Sequence, residues 1–350
     1  MSEPPVKNTI NSGCSILFVP LDLPRHHPLV KVANPSSGIS LKRVVKTPTV
    51  TQMKISGFSF CRNATKLYYP VAESIRSALP LCHEFIVAVG RGDADDNTRE
   101  IIAAIGDPKI RIIDTDWTDR DKLKGWTHSQ QTNIALEACT GDWCLYVQAD
   151  EVLHEQDYPA IRARCEQLLH VDRVEGLAFR YLHFWGDYDH AHLSHAWYPT
   201  ELRIIRNGLG IRSYRSAQSF RRDGKKLRAA MVDATIYHYG WVRPPHLMRA
   251  KTVEMVRTHK GREEAEQVRT APPFSYGSLE NIRRFSGSHP AVMSDWIARF
   301  DWADQLQQTG YSPVRHRHDK LKYRILTWLE QTLCSGRRPR PQPYRRGIGH

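Results

Sequence analysis

The sequence predicts an α/β fold: a mostly parallel sheet flanked by helices, then a mixed α+β half, then C-terminal helices. Three observations carry that expectation. Between residues 53 and 155, strand-like and helix-like segments alternate with short connections. After residue 155 the alternation weakens into longer strand-like runs, and beyond about 244 apolar residues fall at helical spacing. At 350 residues, 41% hydrophobic and 25% charged, the chain has the length for a sizeable core and the composition of a globular protein.

KISGFSF (54–60) reads as the first strand, and ATKLYYPVAESIRSAL (64–79) as a helix closed by Pro80. EFIVAVG (84–90) is the second strand. NTREIIAAIG (97–106) is a helix with Asn97 or Thr98 as N-cap and Gly106 as C-cap. KIRIIDT (109–115) is the third strand, SQQTNIALEACTG (129–141) a helix ending at Gly141, and DWCLYVQAD (142–150) the fourth strand. Short connections between such elements imply right-handed crossovers and parallel pairing, and ligands of open α/β sheets bind at the carboxyl edge. Asp150 and Glu151, where the apolar run stops, belong to that edge.

Further on, YPAIRARCEQLL (158–169) reads as a helix, and GLAFRYLHFWG (176–186), TELRIIRN (200–207) and DATIYHYGWV (233–242) as strands. HLMRAKTVEMVRTHKG and DKLKYRILTWLEQTL are helical, and no internal repeat is visible. The expected organisation is a poorly structured extension (1–50), a main domain (51–243) with halves at 51–155 and 156–243, a helical region (244–334) and a disordered basic tail (335–350).

The net charge is +13, and its location matters more than its sum. Residues 1–50 hold six Lys/Arg against two acids, residues 311–350 ten against two, and the middle is almost neutral. The tails read as solvated ends, or more sharply as a tether to an anionic membrane or polymer. No apolar run approaches the roughly 20 residues that span a bilayer, and no signal-peptide pattern opens the chain. The expected compartment is the cytoplasm, with peripheral contact at the inner face of the membrane. Seven cysteines without a C-x-x-C pair point to reduced, mostly buried thiols.

The pieces FSFCRNATKLYYPVAESIRSAL, EFIVAVG with DADDNTREII, KIRIIDT, QQTNIALEACTGDW and LYVQADE are similar in order and spacing to family 2 glycosyltransferases of the GT-A fold. The likeness covers about residues 53–155, with a looser echo in ELRIIRN and YHYGWVR. It implies transfer of a sugar from a nucleotide-sugar donor to a carbohydrate or lipid-linked acceptor, with inversion. Residues 51–155 would be the nucleotide-sugar half and 156–243 the acceptor half. The implied nucleotide-sugar contacts are Phe60, Arg62, Asn63, Asp96, Asn133, Gln148, Asp150 and Glu151.

Transfer expels a nucleoside diphosphate, whose charge needs a divalent cation, Mn²⁺ or Mg²⁺, or fixed positive groups. The family's D-x-D motif is Gln148-Ala149-Asp150 here, so one charge is missing. Asp150 is the implied metal ligand, with His238 as the second; a hydrogen-bonded histidine between two tyrosines is the other reading of His238. His183, His190, His192 and His195 form a rival metal cluster, for which solvent exposure is the favoured reading. Lys122, Lys124 and Arg62 are candidates to offset diphosphate charge. The family's base-binding aspartate after the second strand is replaced by Gly90-Arg91-Gly92, and Asp96 has the simpler reading of a helix N-terminal support.

Inversion needs a general base. Glu201 is the first candidate and Asp187 the second, with an ion pair to Arg203 or Arg206 as the alternative role of Glu201. Trp197 and Trp241, with Trp185, are candidates for an acceptor platform, because pyranose C–H faces pack on flat rings. Three rival functions stand beside this one. They are a degenerate transferase that binds nucleotide sugar without turnover, a polyanion or nucleic-acid binder acting through the tails, and a sugar nucleotidyltransferase. The last is disfavoured because no Gly-rich basic loop follows the first strand.

Overall fold

The computed structural model describes residues 52–117, 126–192, 194–333 and 345–346. The described residues belong to one compact unit, Gln52–His350. Lys122, Lys124 and the tails at 1–50 and 335–344 lie outside them.

The first half alternates as its periodicity predicts: β1 (Ile55–Cys61), α1 (Val71–Ala78), β2 (Glu84–Gly90), α2 (Thr98–Ala103), β3 (Ile110–Thr115), α3 (Trp126–Glu137) and β4 (Trp143–Tyr146). Two boundaries differ from expectation. The first helix starts only at Val71, because Pro70 has no N–H to donate and its ring disfavours helical backbone at Tyr69. Tyr68 instead adopts a φ of 58° in the turn before it. The expected fourth strand also stops early. After Val147 donates to Phe58 O, the chain turns at 148–150 and re-forms as the three-residue β5 (Glu151–Leu153).

The second half contributes α4 (Tyr158–Leu168), β6 (Gly176–Trp185), β7 (His190–His192), β8 (Thr200–Arg206), a small antiparallel sheet of β9 (Ile211–Tyr214), β10 (Ser219–Arg222) and β11 (Lys225–Lys226), and the long β12 (Arg228–Trp241). Along the main sheet the order is β7-β6-β8-β4-β1-β2-β3. Strands β3, β2, β1 and β4 are parallel, whereas β8 runs antiparallel between β4 and β6. The sheet is therefore mixed, and only its first half is parallel. Strand β12 lies parallel to β6 and antiparallel to β5.

Both faces of the first half are covered, which is why its strands read as continuous apolar runs. In β2, Phe85, Val87 and Val89 join the cluster under α1 and α4, while Ile86 and Ala88 join the cluster under α3. In β4, Trp143 and Leu145 face the first cluster, Cys144 and Tyr146 the second. Cys61, Cys82, Cys139, Cys144 and Cys165 are all free and buried in these clusters or beside them.

Beyond Trp241 come α5 (Pro245–Lys260), α6 (Arg262–Thr270), α7 (Ser294–Ala298) and α8 (Leu321–Leu333). The expected helical region is helical only in part. Much of the chain between α6 and α8 is irregular, and it packs Tyr276, Leu279, Met293 and Trp302 against Phe184, Trp185 and Tyr239 in a third buried cluster. Among the described residues no helix is long and apolar enough to cross a membrane.

Candidate active site

The parallel strands end on one side of the sheet, and there a cleft of about 560 Å³ opens, within the range of small-molecule sites. Phe60 and Arg62 reach it from the end of β1, Gln148 and Asp150 from the turn after β4, Glu201 from the start of β8, His238 and Trp241 from β12, and Lys251 from α5.

Asp150 and Glu151 are adjacent in sequence and face opposite ways, as successive residues of an extended chain do. Glu151 is completely buried. Its Oε2 accepts from Arg203 Nε (2.7 Å) and the Gln148 backbone N–H (3.1 Å), and its Oε1 from Arg203 Nη2 (2.6 Å) and Tyr181 Oη (2.8 Å). The guanidinium sits 5.2 Å from the ring centres of both Tyr146 and Tyr181. Glu151 thus ties β5 to β8 inside the protein and does not line the cleft. Of the two adjacent acids, Asp150 lines the cleft.

Asp150 is brought to the cleft by the register of β5 on β12. Glu151 stands opposite His238, and Tyr239 N–H donates to Asp150 O at 2.8 Å. Asp150 Oδ2 then lies 3.7 Å from His238 Nε2 and 3.7 Å from Lys251 Nζ. Burial by itself would raise this carboxyl; His238, Lys251 and Arg243 outweigh it and hold Asp150 below its ordinary value. A Cβ on Gly240 would stand 2.5 Å from Asp150 Oδ2 and 2.7 Å from His238 Nε2, so the backbone approaches both groups as only glycine permits. Gly240→Ala is expected to cost about 1–3 kcal/mol in urea unfolding and to displace both side chains.

His183 Nε2 lies 2.8 Å from Tyr198 O and donates to it; His183 Nδ1 lies 3.0 Å from His238 Nδ1, so one of these two nitrogens donates to the other. Burial lowers the pKa of His238 against the pull of Asp150 and Glu151. Lys251 supplies a cation beside Asp150: its Nζ donates to Gly240 O and sits 5.2 Å from the ring centres of Tyr69 and Trp241. Burial, helped by Arg243 and opposed by Asp150, brings the ammonium down to about 7.

The divalent cation implied by the resemblance finds two protein donors here, Asp150 and His238. Among the described residues no group of three or more His, Cys, Asp or Glu side chains converges on one point. The ammonium of Lys251 already shares Asp150 with the imidazole. Asp150 and His238 would be enough for a hard cation whose remaining ligands come from a diphosphate and water, with Lys251 Nζ as the competing cation at 3.7 Å.

Glu201 stands on the cleft wall without an ion pair among the described residues. Arg203 is taken by Glu151, and Arg206 donates to the carbonyls of Leu168, Leu169, Val171 and Val174. Glu201 Oε2 is buried with no hydrogen-bond partner among the described residues. Burial, only partly offset by Arg203, pushes this carboxyl up to about 7. Asp187 lies elsewhere. It accepts from the backbone N–H groups of Asp189 (3.0 Å) and His190 (2.8 Å) and pairs with His190 Nδ1 (2.9 Å), closing the turn after β6.

Other expected contacts are structural. Asn63, with a φ of 53°, accepts from Asp93 N–H; Asp96 accepts from Thr65 and Thr98 at the start of α2; Asn133 accepts from Ser213 N–H and joins α3 to β9. None of the three lines the cleft. Arg62 does, held by Asp93 (3.0 Å) and Glu254 (3.3 Å). The histidine cluster is dispersed: His183 meets His238, His190 meets Asp187, His192 stacks 4.9 Å from Trp197, and His195 pairs with Glu330. His183, His190 and His192 are buried, against the expected exposure. Trp197 and Trp241 line the cleft, while Trp185 lies behind, its ring 4.9 Å from Trp241.

Three cleft residues escape a sequence reading. The Phe60 ring lies 5.4 Å from His128 and 6.1 Å from Trp117, and both neighbours line the cleft. Gly90 makes room for Trp117, whose Nε1 would be 2.4 Å from a Cβ there. Lys251 is the third. Its one signal is a lysine on the same helical face as Met248, Met255 and Thr258.

No family model and no curated protein matches this sequence. Solved structures overlap it in part. S. aureus TarS 1–349 is 16% identical, with a TM-score of 0.34, over 62% of this chain and 69% of that one. The glucosyl-3-phosphoglycerate synthase of Mycobacterium tuberculosis, in complex with Mn²⁺, UDP and phosphoglyceric acid, is 19% identical, with a TM-score of 0.27, over 37% of this chain and 44% of that one. A mycobacterial protein is 13% identical, with a TM-score of 0.35, over 59% of this chain and 75% of that one. Overlaps of this degree carry no argument about the activity of this chain.

Proposed function

We propose that this protein is a family 2 type glycosyltransferase of the GT-A fold that moves a sugar from a nucleotide-sugar donor to a carbohydrate or lipid-linked acceptor, with inversion. One observation supports it above the others. At the carboxyl edge of the parallel strands, Asp150 of the Q-A-D triplet faces His238 in the same cleft as Glu201, a half-buried carboxylate whose enclosed Oε2 has no hydrogen-bond partner among the described residues. Phe60, Trp117 and His128 offer flat walls for a nucleobase, and Trp197 and Trp241 offer rings for a sugar acceptor.

In this reading Glu201 takes the proton of the acceptor hydroxyl as its oxygen bonds to the anomeric carbon. The bond from that carbon to the diphosphate breaks, and the nucleoside diphosphate leaves with the electron pair. Positive charge at the leaving group comes from Arg62 and Lys251 at the cleft, and a divalent cation that Asp150 and His238 would hold supplies more. The excess charge of the tails supports a cytoplasmic protein that touches the inner face of a membrane.

The test is thermal and urea unfolding with UDP, GDP, CMP and dTDP, each with Mn²⁺, with Mg²⁺ and with chelator. One nucleotide is expected to stabilise the protein, by about 2.7 kcal/mol at 100 times its dissociation constant, and Gly240→Ala is expected to lose that stabilisation. Indifference to every nucleotide under every condition would remove the nucleotide-sugar reading.

A further inference from the structure

We infer that α8 (Leu321–Leu333) lies on an anionic bilayer, with Leu321, Ile325 and Trp328 dipping below the headgroups and Lys322 and Arg324 set against them. This rests on the membrane contact proposed above and moves it from the basic tails to a folded surface. An ordinary surface helix buries its apolar stripe and shows water its polar side; α8 is turned the other way. Inward, Glu330 is buried and pairs with His195 Nδ1, and Thr327 Oγ1 accepts from His195 N–H at 2.8 Å. Outward, Leu321, Ile325 and Trp328 recur at i, i+4 and i+7 on one face, 69%, 48% and 60% exposed. The patch continues beyond the helix: Tyr311 and Val314, also exposed, line the same groove as Trp328, together with Arg315 and Arg324. Single exposed apolar residues are ordinary, whereas a contiguous patch marks an interaction surface.

Charge selects the occupant. Lys322 and Arg324 are exposed on the two flanks of the stripe, and Glu330, the only acid between residues 320 and 333, faces inward. From residue 311 to 350 ten Lys/Arg stand against two acids. An anionic bilayer takes both features at once, cations at its headgroups and apolar side chains just beneath them. A tryptophan in the stripe suits that boundary, where an indole ring keeps its N–H among polar groups. Thirteen residues make about 20 Å of helix, short of the roughly 30 Å of a hydrocarbon core, so α8 lies in the plane of the surface.

The experiment is co-sedimentation of the full chain with vesicles of equal parts phosphatidylglycerol and phosphatidylcholine, and with vesicles of phosphatidylcholine alone. The wild type is expected to bind the anionic vesicles, about tenfold or more above the neutral ones, and to release them as salt rises. Ile325→Asn with Trp328→Ser is expected to weaken binding to the anionic vesicles by about 10- to 100-fold, and Lys322→Glu with Arg324→Glu by about tenfold. Both variants are expected to keep the wild-type response to nucleotide in thermal unfolding, since none of the four residues lines the cleft. Should the apolar pair fail to fold, the charge pair decides. Binding that is unchanged in the folded apolar pair overturns the helix as the contact, and so does equal binding to the two kinds of vesicle. Loss of binding in Arg337→Gln with Arg338→Gln and Arg340→Gln, with the helix variants unaffected, gives the membrane to the tail. A wild-type dimer that the apolar pair splits in analytical ultracentrifugation, with vesicle binding unchanged, gives the face to a second copy of the chain. No binding to either vesicle overturns the membrane contact altogether, while sugar transfer stands or falls on the nucleotide screen.

Discussion

Glu201→Gln is expected to lower turnover by roughly 10²–10⁴-fold, the usual range for loss of a general base, while nucleotide binding stays close to that of the wild type. The amide keeps the shape of the side chain and cannot take a proton. Glu201 suits the role because its position combines access with desolvation. It lines the cleft, Oε2 has no hydrogen-bond partner among the described residues, and burial pushes its carboxyl up to about 7. Only the carboxylate accepts a proton, so the rate of the wild type is expected to fall by about tenfold per pH unit well below 7, and to fall again above it as the Lys251 ammonium, itself at about 7, loses its proton. In Glu201→Gln that acid limb should vanish from the residual activity. A variant that turns over as fast as the wild type, with the acid limb intact, would take Glu201 out of the chemistry.

Arg203→Met is expected to cost about 3–5 kcal/mol, because it leaves the charge of Glu151 buried without a partner. The pair is deeply enclosed, with side-chain exposures of 1% and 0%, and the carboxylate also takes Tyr181 Oη and the Gln148 N–H. Urea unfolding of Arg203→Met, Glu151→Leu and the double variant separates the pair from its parts. The double variant is expected to be more stable than Arg203→Met, since replacing both charges with apolar groups removes the desolvation cost along with the attraction. Equal loss in the double and in Arg203→Met would mean that packing of the guanidinium between Tyr146 and Tyr181 matters more than its charge.

The two adjacent acids show how far local sequence reaches. The run Trp143–Val147 marks a buried strand, and its end marks an edge of the sheet, so Asp150 at a ligand-binding edge is legible from periodicity alone. That Glu151 belongs to the core is not. Its role depends on Arg203 and Tyr181, which arrive through two other strands. The expected fourth strand runs through Asp150 in sequence because nothing local marks the turn at 148–150. What breaks it is the pairing of β5 with β12, which also brings His238 to Asp150. Asp96 and Asn133 carry the opposite lesson: polar residues at plausible positions turn out to serve a helix start and a helix-to-strand clamp.

By itself the sequence determined the alternation of β1 to β4 with α1 to α3 and, from where the fourth apolar run stops, the place of Asp150 at an edge of the sheet. Those follow from periodicity, capping residues and breakers, which act over a few neighbours. Only the tertiary structure decided that β8 enters the sheet antiparallel, that Glu201 has no ion pair among the described residues, that His183 meets His238, and that Lys251 stands beside Asp150. Each of these depends on desolvation and on hydrogen-bond partners brought from distant parts of the chain, and burial and charge pairing are properties of the assembled space rather than of any local run of residues.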